Sequence, residues 1–225
     1  MALTPAEIEE VLTRDEKGRL RERKFVLRGK PEGEYTSFYP DGRPMVRLTF
    51  RNGLKEGEAL SWYPDGQLRE RGFFKKDVLE GEYVSYYEDG GLHEKETYRG
   101  GRLEGPYLFY YRNGQVRDEE HFRGGRFDGP YRSYYRNGQL REEGAFRNDR
   151  RDGPYVAYGR DGRLAARALY QDGKLIGRFE TFTEDPAANE PEGQGPATDD
   201  EAPAASEQER AADDLLRDLR YIDRR

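Results

Sequence analysis

The sequence has no cysteine and few of the aliphatic side chains that fill the core of an ordinary globular domain. Without cysteine, neither a disulfide framework nor a thiolate metal site is available. No stretch approaches the roughly 18 consecutive apolar residues of a membrane-spanning helix. The net charge of -6, with both signs interspersed, provides no basic footprint for nucleic acid and no polybasic segment for anionic lipid. Disulfide-stabilised, membrane-spanning and nucleic-acid-binding proteins are therefore disfavoured.

Aromatic residues supply the apolar surface that aliphatic residues do not. Charged residues make up 37% of the chain and hydrophobic residues 34%, with a mean hydropathy of -1.14. Yet there are 17 Tyr, 11 Phe and one Trp, too many rings for a solvated chain. An architecture that buries rings in a thin repeated layer fits this composition better than a thick core. The first residues lack the basic and apolar regions of a secretory signal, so we expect a cytoplasmic protein.

Two columns of glycine recur with a period of 24 residues, which predicts a tandem repeat of about seven units. The first column is Gly33, Gly57, Gly81, Gly105, Gly129, Gly153 and Gly177, and the second is Gly18, Gly42, Gly66, Gly90, Gly114, Gly138 and Gly162. We number repeat positions from the first glycine as position 0. The second column then falls at position 9, and from Gly42 to Gly162 it directly follows Asp or Asn at position 8.

Asp-Gly or Asn-Gly between two aromatic runs predicts a β-hairpin with a type I′ turn at positions 8 and 9, where both residues need positive φ. A second turn is predicted at positions 19 and 20, for example at Asn52-Gly53. The two turns together predict that position 2 faces 15, 4 faces 13, 6 faces 11 and 17 faces 22. They also place position 15 opposite the glycine of the next unit. Each unit then supplies two antiparallel strands.

Alternation along these strands assigns positions 2, 6, 11, 17 and 22 to one face, and nearly all of these are aromatic or aliphatic. This is the predicted packed face. The opposite face carries a ring at position 5, and arginines at position 12 are predicted to lie directly across from these rings. The rings are Phe38, Trp62, Tyr86, Tyr110, Tyr134 and Tyr158, called the ring row below, and the arginines are Arg69, Arg117 and Arg141. We consider both a packing role and partner recognition for this surface, since Tyr, Trp and Arg are enriched at interfaces.

The repeated unit resembles the MORN-repeat variant found in bacterial proteins labelled YwqK-type toxin–antitoxin antitoxins. Its clearest copies begin at Gly105 and Gly129, and each reads Gly-Pro-Tyr, then two residues that differ between the copies, then Tyr-Tyr-Arg-Asn-Gly-Gln. The resemblance covers roughly three quarters of the chain. It implies an all-β fold, a single-layer antiparallel meander of tandem 24-residue β-hairpins used for protein or membrane contact. It carries over no catalytic residues.

The ends of the chain depart from the repeat. Thr4-Pro-Ala-Glu7 is a capping-box pattern, so we expect an N-terminal capping helix over residues 1–12, followed by the repeat array over residues 13–182. Residues 183–205, rich in Pro, Ala, Gly and acid, are expected to form a disordered linker. Residues 206–225 are expected to form an amphipathic helix, which either caps the array or docks onto a partner. Its apolar face would carry Leu215, Leu216, Leu219 and Ile222.

Catalysis has little support in the sequence. The two histidines, His93 and His121, are not repeated in other units, and the acids at position 13 are expected to pair with arginines of neighbouring strands. We therefore expect no catalytic residue, metal site or cofactor. The expected function is a non-catalytic protein-binding scaffold, possible roles including an antitoxin or immunity-type protein whose partner is a toxin. Alternatives are peripheral binding to a lipid surface, which the net charge disfavours, and glycan binding through the ring row. The oligomeric state is left open.

Overall fold

The computed structural model describes residues 7–182, and this part of the chain contains strands, turns and bends but no helix. Its strands divide between two compact units. In the first unit they are β1 (Glu9–Arg14), β2 (Leu20–Leu27), β3 (Lys30–Phe38), β4 (Pro44–Arg51), β5 (Leu54–Trp62), β6 (Leu68–Lys75), β7 (Val78–Leu79) and β8 (Gly81–Tyr86). The predicted all-β fold of tandem hairpins is confirmed.

The division between the units falls within β9 (Leu92–Arg99). The second unit continues with β10 (Arg102–Leu103), β11 (Gly105–Tyr110), β12 (Val116–Arg123), β13 (Arg126–Phe127), β14 (Gly129–Tyr134), β15 (Leu140–Arg147), β16 (Arg150–Arg151), β17 (Gly153–Tyr158), β18 (Leu164–Gln171), β19 (Lys174–Leu175) and β20 (Glu180–Thr181). Within each unit successive strands pair antiparallel, as in a meander. No helix among residues 7–182 is long and apolar enough to cross a membrane.

The N-terminal helix predicted over residues 1–12 is wrong where the structure describes it. Residues 9–12 belong to β1, which pairs with β2 from Glu9 opposite Val26 onwards. The first edge of the repeat array offers free backbone groups, and pairing with them satisfies those N–H and C=O groups of residues 9–14 that point towards β2, so tertiary context overrides the local capping pattern. The predicted linker (183–205) and C-terminal helix (206–225) lie outside the described residues.

The first hairpin turn lies where it was predicted but has a different geometry. In the repeat beginning at Gly33, the Gly42 N–H donates to the Tyr39 carbonyl (2.9 Å) and the Tyr39 N–H donates to the Arg43 carbonyl (2.8 Å). In this turn φ is positive at Gly42 and not at Asp41. This is a type I turn closed by a glycine bulge, not type I′. Asp is suited to position 8 because its Oδ1 accepts the Arg43 N–H at 3.0 Å.

The second turn has the type I′ geometry that was predicted for the first. Both central residues have positive φ at Asn52 (53°) and Gly53 (86°), and also at Lys76 (52°) and Asp77 (67°). This turn sets position 17 opposite position 22, as predicted, for example Phe74 opposite Leu79.

The glycine at position 0 shifts the strand register by two residues. Gly81 has φ of +86°, and the Glu80 N–H before it donates to the Phe73 carbonyl. Beyond this irregularity Glu70 pairs with Ser85. The prediction that position 15 lies opposite the next glycine is therefore wrong, because two extra residues are accommodated there. A shift of two residues keeps each side chain on its own face, so the alternation of faces is preserved from one repeat to the next.

Rings at positions 2 and 17 share one face in both units, as predicted. Their edge-to-face contacts have centroid separations of 6.3 Å for Tyr83–Tyr98 and 5.9 Å for Tyr107–Phe122. The Tyr131 and Phe146 rings lie 5.3 Å apart. Each such pair adds about 0.5–1.5 kcal/mol to the burial of its rings. The register places positions 2, 4, 13, 15, 17 and 22 together, and we call this side the packed face. Position 11 pairs instead with position 5, for example Val116 with Tyr110, so the prediction that it faces position 6 on the packed face is wrong.

Candidate binding surface

The ring row at position 5 lies on the side opposite the packed face. Each of its six rings is half-buried. Because positions 4 and 5 alternate, these rings share their side with positions 1, 3, 14 and 16. We call this side the ring face.

The arginines at position 12 do not lie across from the ring row, so that prediction is wrong. The strand register shifts by one residue at the hairpin, so Trp62 pairs with Leu68 and Tyr110 pairs with Val116. The extra residue is position 12, and a slip of one residue moves a side chain to the other face. Arg117 accordingly lies 3.7 Å from the ring centroid of Phe109, at position 4 of the packed face.

The other residues at position 12 follow the same displacement. Arg141 donates to the Ser133 hydroxyl (3.0 Å) and to Glu142 (3.2 Å), and both partners belong to the packed face. Arg69 lies 5.8 Å from the ring of Tyr63, at position 6 of its own repeat. The predicted site residues thus separate into two groups: the rings on the ring face, and arginines that brace the packed face and the hairpin.

In the first unit, residues at position 14 and the following position 1 supply the charges beside the rings. Ion pairs join Arg23 to Glu34 (2.9 Å) and Arg71 to Glu82 (3.3 Å). Arg47 lies 5.6 Å from the ring of Trp62, so a cation–π contact of the predicted type exists, with an arginine from the preceding repeat. These side chains are about 40% exposed, so the pairs add little stability and remain accessible to a partner.

In the second unit the charges on the ring face are rearranged. Arg132 donates to Glu143 (3.3 Å) and lies 3.8 Å from Glu119. The Tyr134 hydroxyl donates to Glu119 at 3.4 Å. Burial and the charge of Glu119 raise the pKa of Tyr134 above its ordinary value. Prolines occupy position 1 here, in place of the glutamates of the first unit (Pro106, Pro130 and Pro154). The two units therefore present different chemistry beside similar rings.

Sequence reasoning missed a network of hydroxyl groups and carboxylates on the packed face. Glu142, only 6% exposed, accepts hydrogen bonds from Tyr131 (3.0 Å), Tyr155 (2.9 Å) and Ser133 (3.3 Å). Elsewhere Tyr35 donates to Glu22 at 3.0 Å and Ser61 donates to buried Glu70 at 3.0 Å. The signal was present in the sequence as three columns of one face: Tyr at position 2, Ser at position 4 and acid at position 13.

These contacts keep the buried tyrosines protonated. Burial, followed by the charge of a nearby glutamate, raises the pKa of Tyr35 and Tyr131 well above the ordinary value of 10.0. The pKa of Tyr107 is raised by burial and by the charges of Glu94, Glu96 and Glu120. A neutral phenol remains a hydrogen-bond donor at physiological pH, which is what a buried carboxylate needs. The arrangement is therefore a structural one.

Arg151 occupies the middle of a cluster of rings on the packed face. Its guanidinium carbon lies 4.8 Å from the ring centroid of Tyr155, 5.6 Å from those of Tyr131 and Phe146, and 5.7 Å from that of Tyr170. Position 22 is apolar in other repeats, such as Leu79 and Phe127. Here a planar cation fills the same space by stacking on rings.

Within each unit, position 6 tyrosines join one repeat to the next. The Tyr39 hydroxyl donates to the Trp62 carbonyl at 2.7 Å, and Tyr63 donates to the Tyr86 carbonyl at 2.8 Å. In the second unit, Tyr111 and Tyr135 make the same bond at 2.8 Å to the backbone carbonyls of Tyr134 and Tyr158. Each acceptor belongs to a member of the ring row, so these bonds fix the backbone from which the rings project.

A cavity of about 10 Å³ beside Ser61, Glu70 and Tyr83 has room for a single water molecule. Among residues 7–182 no group of three or more His, Asp or Glu side chains is placed to hold a metal ion.

Comparison with known proteins identifies the repeat. A family model described as the MORN repeat variant matches five successive segments, residues 31–52, 55–76, 79–99, 103–123 and 127–148. No curated protein matches the chain. The chain therefore contains a tandem array of variant MORN repeats, and MORN repeats are commonly non-catalytic binding modules. Strands with the same repeat geometry continue on both sides of the matched segments, from β1 to β20.

Solved structures offer only remote likenesses. One is a GtfA/B complex bound to UDP and GlcNAc, with 14% identity, covering 65% of this chain and 26% of that chain at a TM-score of 0.21. Another is the Tc holotoxin pore of Photorhabdus luminescens, with 12% identity, 72% and 12% coverage and a TM-score of 0.16. A protein of unknown function from Bacteroides fragilis NCTC 9343 has 12% identity, 73% and 93% coverage and a TM-score of 0.12. The chain spans about a quarter of the length of the GtfA/B chain that it matches. With these low TM-scores, none of the three structures indicates a function for this protein.

Proposed function

We propose that this protein is a non-catalytic scaffold that binds a protein partner through its ring face. The observation that carries the proposal is a half-buried ring in six successive repeats, on a face that also carries exposed arginine–glutamate pairs. A half-buried ring already has a fixed orientation, so it loses little conformational entropy when a partner covers it. Aromatic rings and arginines are also the residue types enriched at binding hot spots.

The packed face is less suited to recognition. Its tyrosines are committed to buried carboxylates, and its arginines contact rings or acids of the same face. A partner on that side would have to compete with hydrogen bonds already made. The ring face instead offers ion pairs that are about 40% exposed and exchange readily with those of a partner.

A finer proposal is that the partner is a toxin, which the scaffold neutralises as an antitoxin or immunity-type protein. The resemblance of the repeat to the YwqK-type antitoxins supports this role. Expression of proteins encoded beside this one, with and without the scaffold, tests it. Growth arrest by a neighbour and rescue by the scaffold is the expected result; neighbours that are harmless alone would contradict the antitoxin role while leaving the binding function intact.

Binding through the ring face is tested with ring variants of the full chain. The partner is first isolated by co-purification from the native host, and its affinity is then measured by calorimetry. Replacing Trp62, Tyr110 and Tyr134 together with Ala is expected to weaken binding at least about a hundredfold, as loss of hot-spot rings does. The matched control replaces Leu175 with Ala, which removes an apolar side chain that is 42% exposed at position 22, on the packed face, and leaves the ring row in place.

The outcomes separate recognition from packing. Loss of affinity with an unchanged melting temperature supports the proposal, whereas unchanged affinity in a folded triple variant refutes it. If the triple variant unfolds, single replacement of Trp62 by Tyr or Tyr134 by Phe gives the affinity change in a folded background. Sedimentation with anionic liposomes tests the lipid alternative, for which the net charge of -6 predicts no binding. A glycan array tests the carbohydrate alternative.

A further inference from the structure

Within the part of the chain that the structure describes, the first strand pairs along one side of its backbone only. β1 pairs with β2 through residues Glu9 to Arg14, and β2 is the strand partner that the structure records for β1 among residues 7–182. The helix that the sequence predicted over this edge is replaced, from residue 9, by β1 itself. An edge of six residues with free N–H and C=O groups accepts a further strand.

The side chains of this edge combine exposed apolar groups with opposite charges. Leu12 is 46% exposed, and Ile8, four residues before it, is 58% exposed. Glu10 and Arg14 flank Leu12 at equal distances along the strand, and both are exposed. Because side chains alternate, Ile8, Glu10, Leu12 and Arg14 project to the same side of the sheet. Leu12 pairs with Arg23 and Glu10 pairs with Phe25, which places this side on the ring face.

We propose that β1 binds β1 of a second copy of this chain, antiparallel and about a two-fold axis at Leu12. In that register Leu12 contacts Leu12 of the second copy, and Glu10 lies opposite Arg14 of the second copy on both sides of the axis. Directly opposed side chains in an antiparallel pair lie about 4.5–5.5 Å apart, which suits an ion pair. The contact is self-complementary, as a closed two-fold dimer requires.

The neighbouring two-fold register fits less well. An axis at Val11 would set Leu12 against Glu10, burying a carboxylate edge against an apolar side chain without a counter-charge. In the proposed register each Glu10 meets an arginine instead. The Arg14 guanidinium already donates to the Gly18 carbonyl at 2.9 Å, which fixes its position and leaves further N–H groups for Glu10. Self-association uses the strand edge and is independent of the partner proposed for the ring row.

Charge reversal of the full chain tests the register. The wild-type protein is expected to show an average mass that rises from 26.2 kDa towards twice that value as its concentration approaches about 1 mM, measured by light scattering or sedimentation. Glu10→Arg alone and Arg14→Glu alone each place like charges opposite one another and are expected to weaken association at least about tenfold. The double variant restores both pairs and should associate like wild type.

Mixing the two single variants gives the sharpest result. Each variant repels itself, but a chain with arginine at both positions complements a chain with glutamate at both, so the mixture is expected to form a heterodimer. Arg163→Glu, a charge reversal in a hairpin loop away from β1, is the control and should associate like wild type. Amide exchange of residues 9–14 should slow as the wild-type concentration rises.

Several results would overturn the proposal. A monomer at every concentration would do so, as would equal association of wild type and both single variants. A mixture of single variants that remains monomeric would refute the antiparallel register, and masses growing beyond the dimer would refute two-fold closure. Far-UV circular dichroism and the melting temperature establish that each variant is folded, which is expected because the substituted side chains are exposed.

Discussion

Replacing Glu142 by Ala should destabilise the protein far more than replacing its neighbour Glu143 by Ala. The two glutamates are adjacent in β15 and therefore lie on opposite faces. Glu142 is 6% exposed and accepts hydrogen bonds from Tyr131 (3.0 Å) and Tyr155 (2.9 Å). Glu143 pairs with Arg132 on the ring face, where both side chains are about 40–50% exposed.

The magnitude follows from the hydroxyl groups left behind. A buried donor that loses its acceptor costs about 1–3 kcal/mol, and Glu142→Ala leaves two tyrosine donors in this state, so about 3 kcal/mol is expected. For a chain of this length that corresponds to a fall in melting temperature of about 6–12 °C. Glu143→Ala removes a solvent-screened ion pair, and its melting temperature should stay close to that of wild type.

Thermal and urea unfolding, followed by circular dichroism, measure the difference. Tyr131→Phe and Tyr155→Phe should reduce the effect of Glu142→Ala, because the donors are then absent together with the acceptor. Equal stabilities for the two glutamate variants would refute the structural role of the hydroxyl–carboxylate network. So would full additivity of the tyrosine and glutamate replacements.

Three further outcomes follow from the repeat geometry. Gly57→Ala should lower the free energy of unfolding by about 1–2 kcal/mol through backbone strain alone, since φ is +93° and an added Cβ has no atom within 4 Å. Gly57→Asn should cost less, because Asn tolerates this region of φ. Equal unfolding curves for the Ala variant and wild type would contradict this. The stability that Tyr35 and Tyr131 contribute should be constant up to about pH 10 and then fall, because their raised pKa keeps them protonated when folded while they ionise at about 10.0 when unfolded; tyrosinate absorbance that rises for these residues before unfolding would disprove it. Tyr111→Phe should cost about 1 kcal/mol by removing the bond to the Tyr134 carbonyl, and an unchanged urea midpoint would rule that out.

The period and the turn locations were predictable from the sequence because glycine is the residue that most readily adopts positive φ, and it recurs at the turns. The type of the first turn was not, because Asp-Gly suits both a type I′ turn and a type I turn with a glycine bulge. The structure distinguishes them by φ, which is positive at Gly42 and not at Asp41. The helix expected over residues 9–12 was wrong because its local pattern says nothing about an available strand edge.

The error over Arg69, Arg117 and Arg141 follows directly from that turn. A two-residue type I′ loop keeps the alternation regular, whereas the glycine bulge adds one residue and moves position 12 across the sheet. The ring row itself was placed correctly on the face opposite the packed rings. The acids at position 13 were assigned to arginines of neighbouring strands, but Asp118 pairs with adjacent Arg117, and Glu142 gathers hydroxyl groups as well. The alternation of side chains already placed positions 2, 4 and 13 on one face. Their hydrogen-bond partners depend on distances that alternation does not give.

The hydroxyl bonds of the position 6 tyrosines give the array a direction. Tyr111 and Tyr135 each reach forward to a carbonyl of the following repeat, so deleting a repeat's successor leaves its tyrosine donor without this acceptor, whereas deleting its predecessor leaves its backbone carbonyl without this donor. Position 6 of the repeat that begins at Gly153 is Gly159, which has no hydroxyl group and cannot donate this bond to the following residues. An engineer who lengthens the protein should therefore insert copies before this point, where the donor of one copy finds the acceptor of the next.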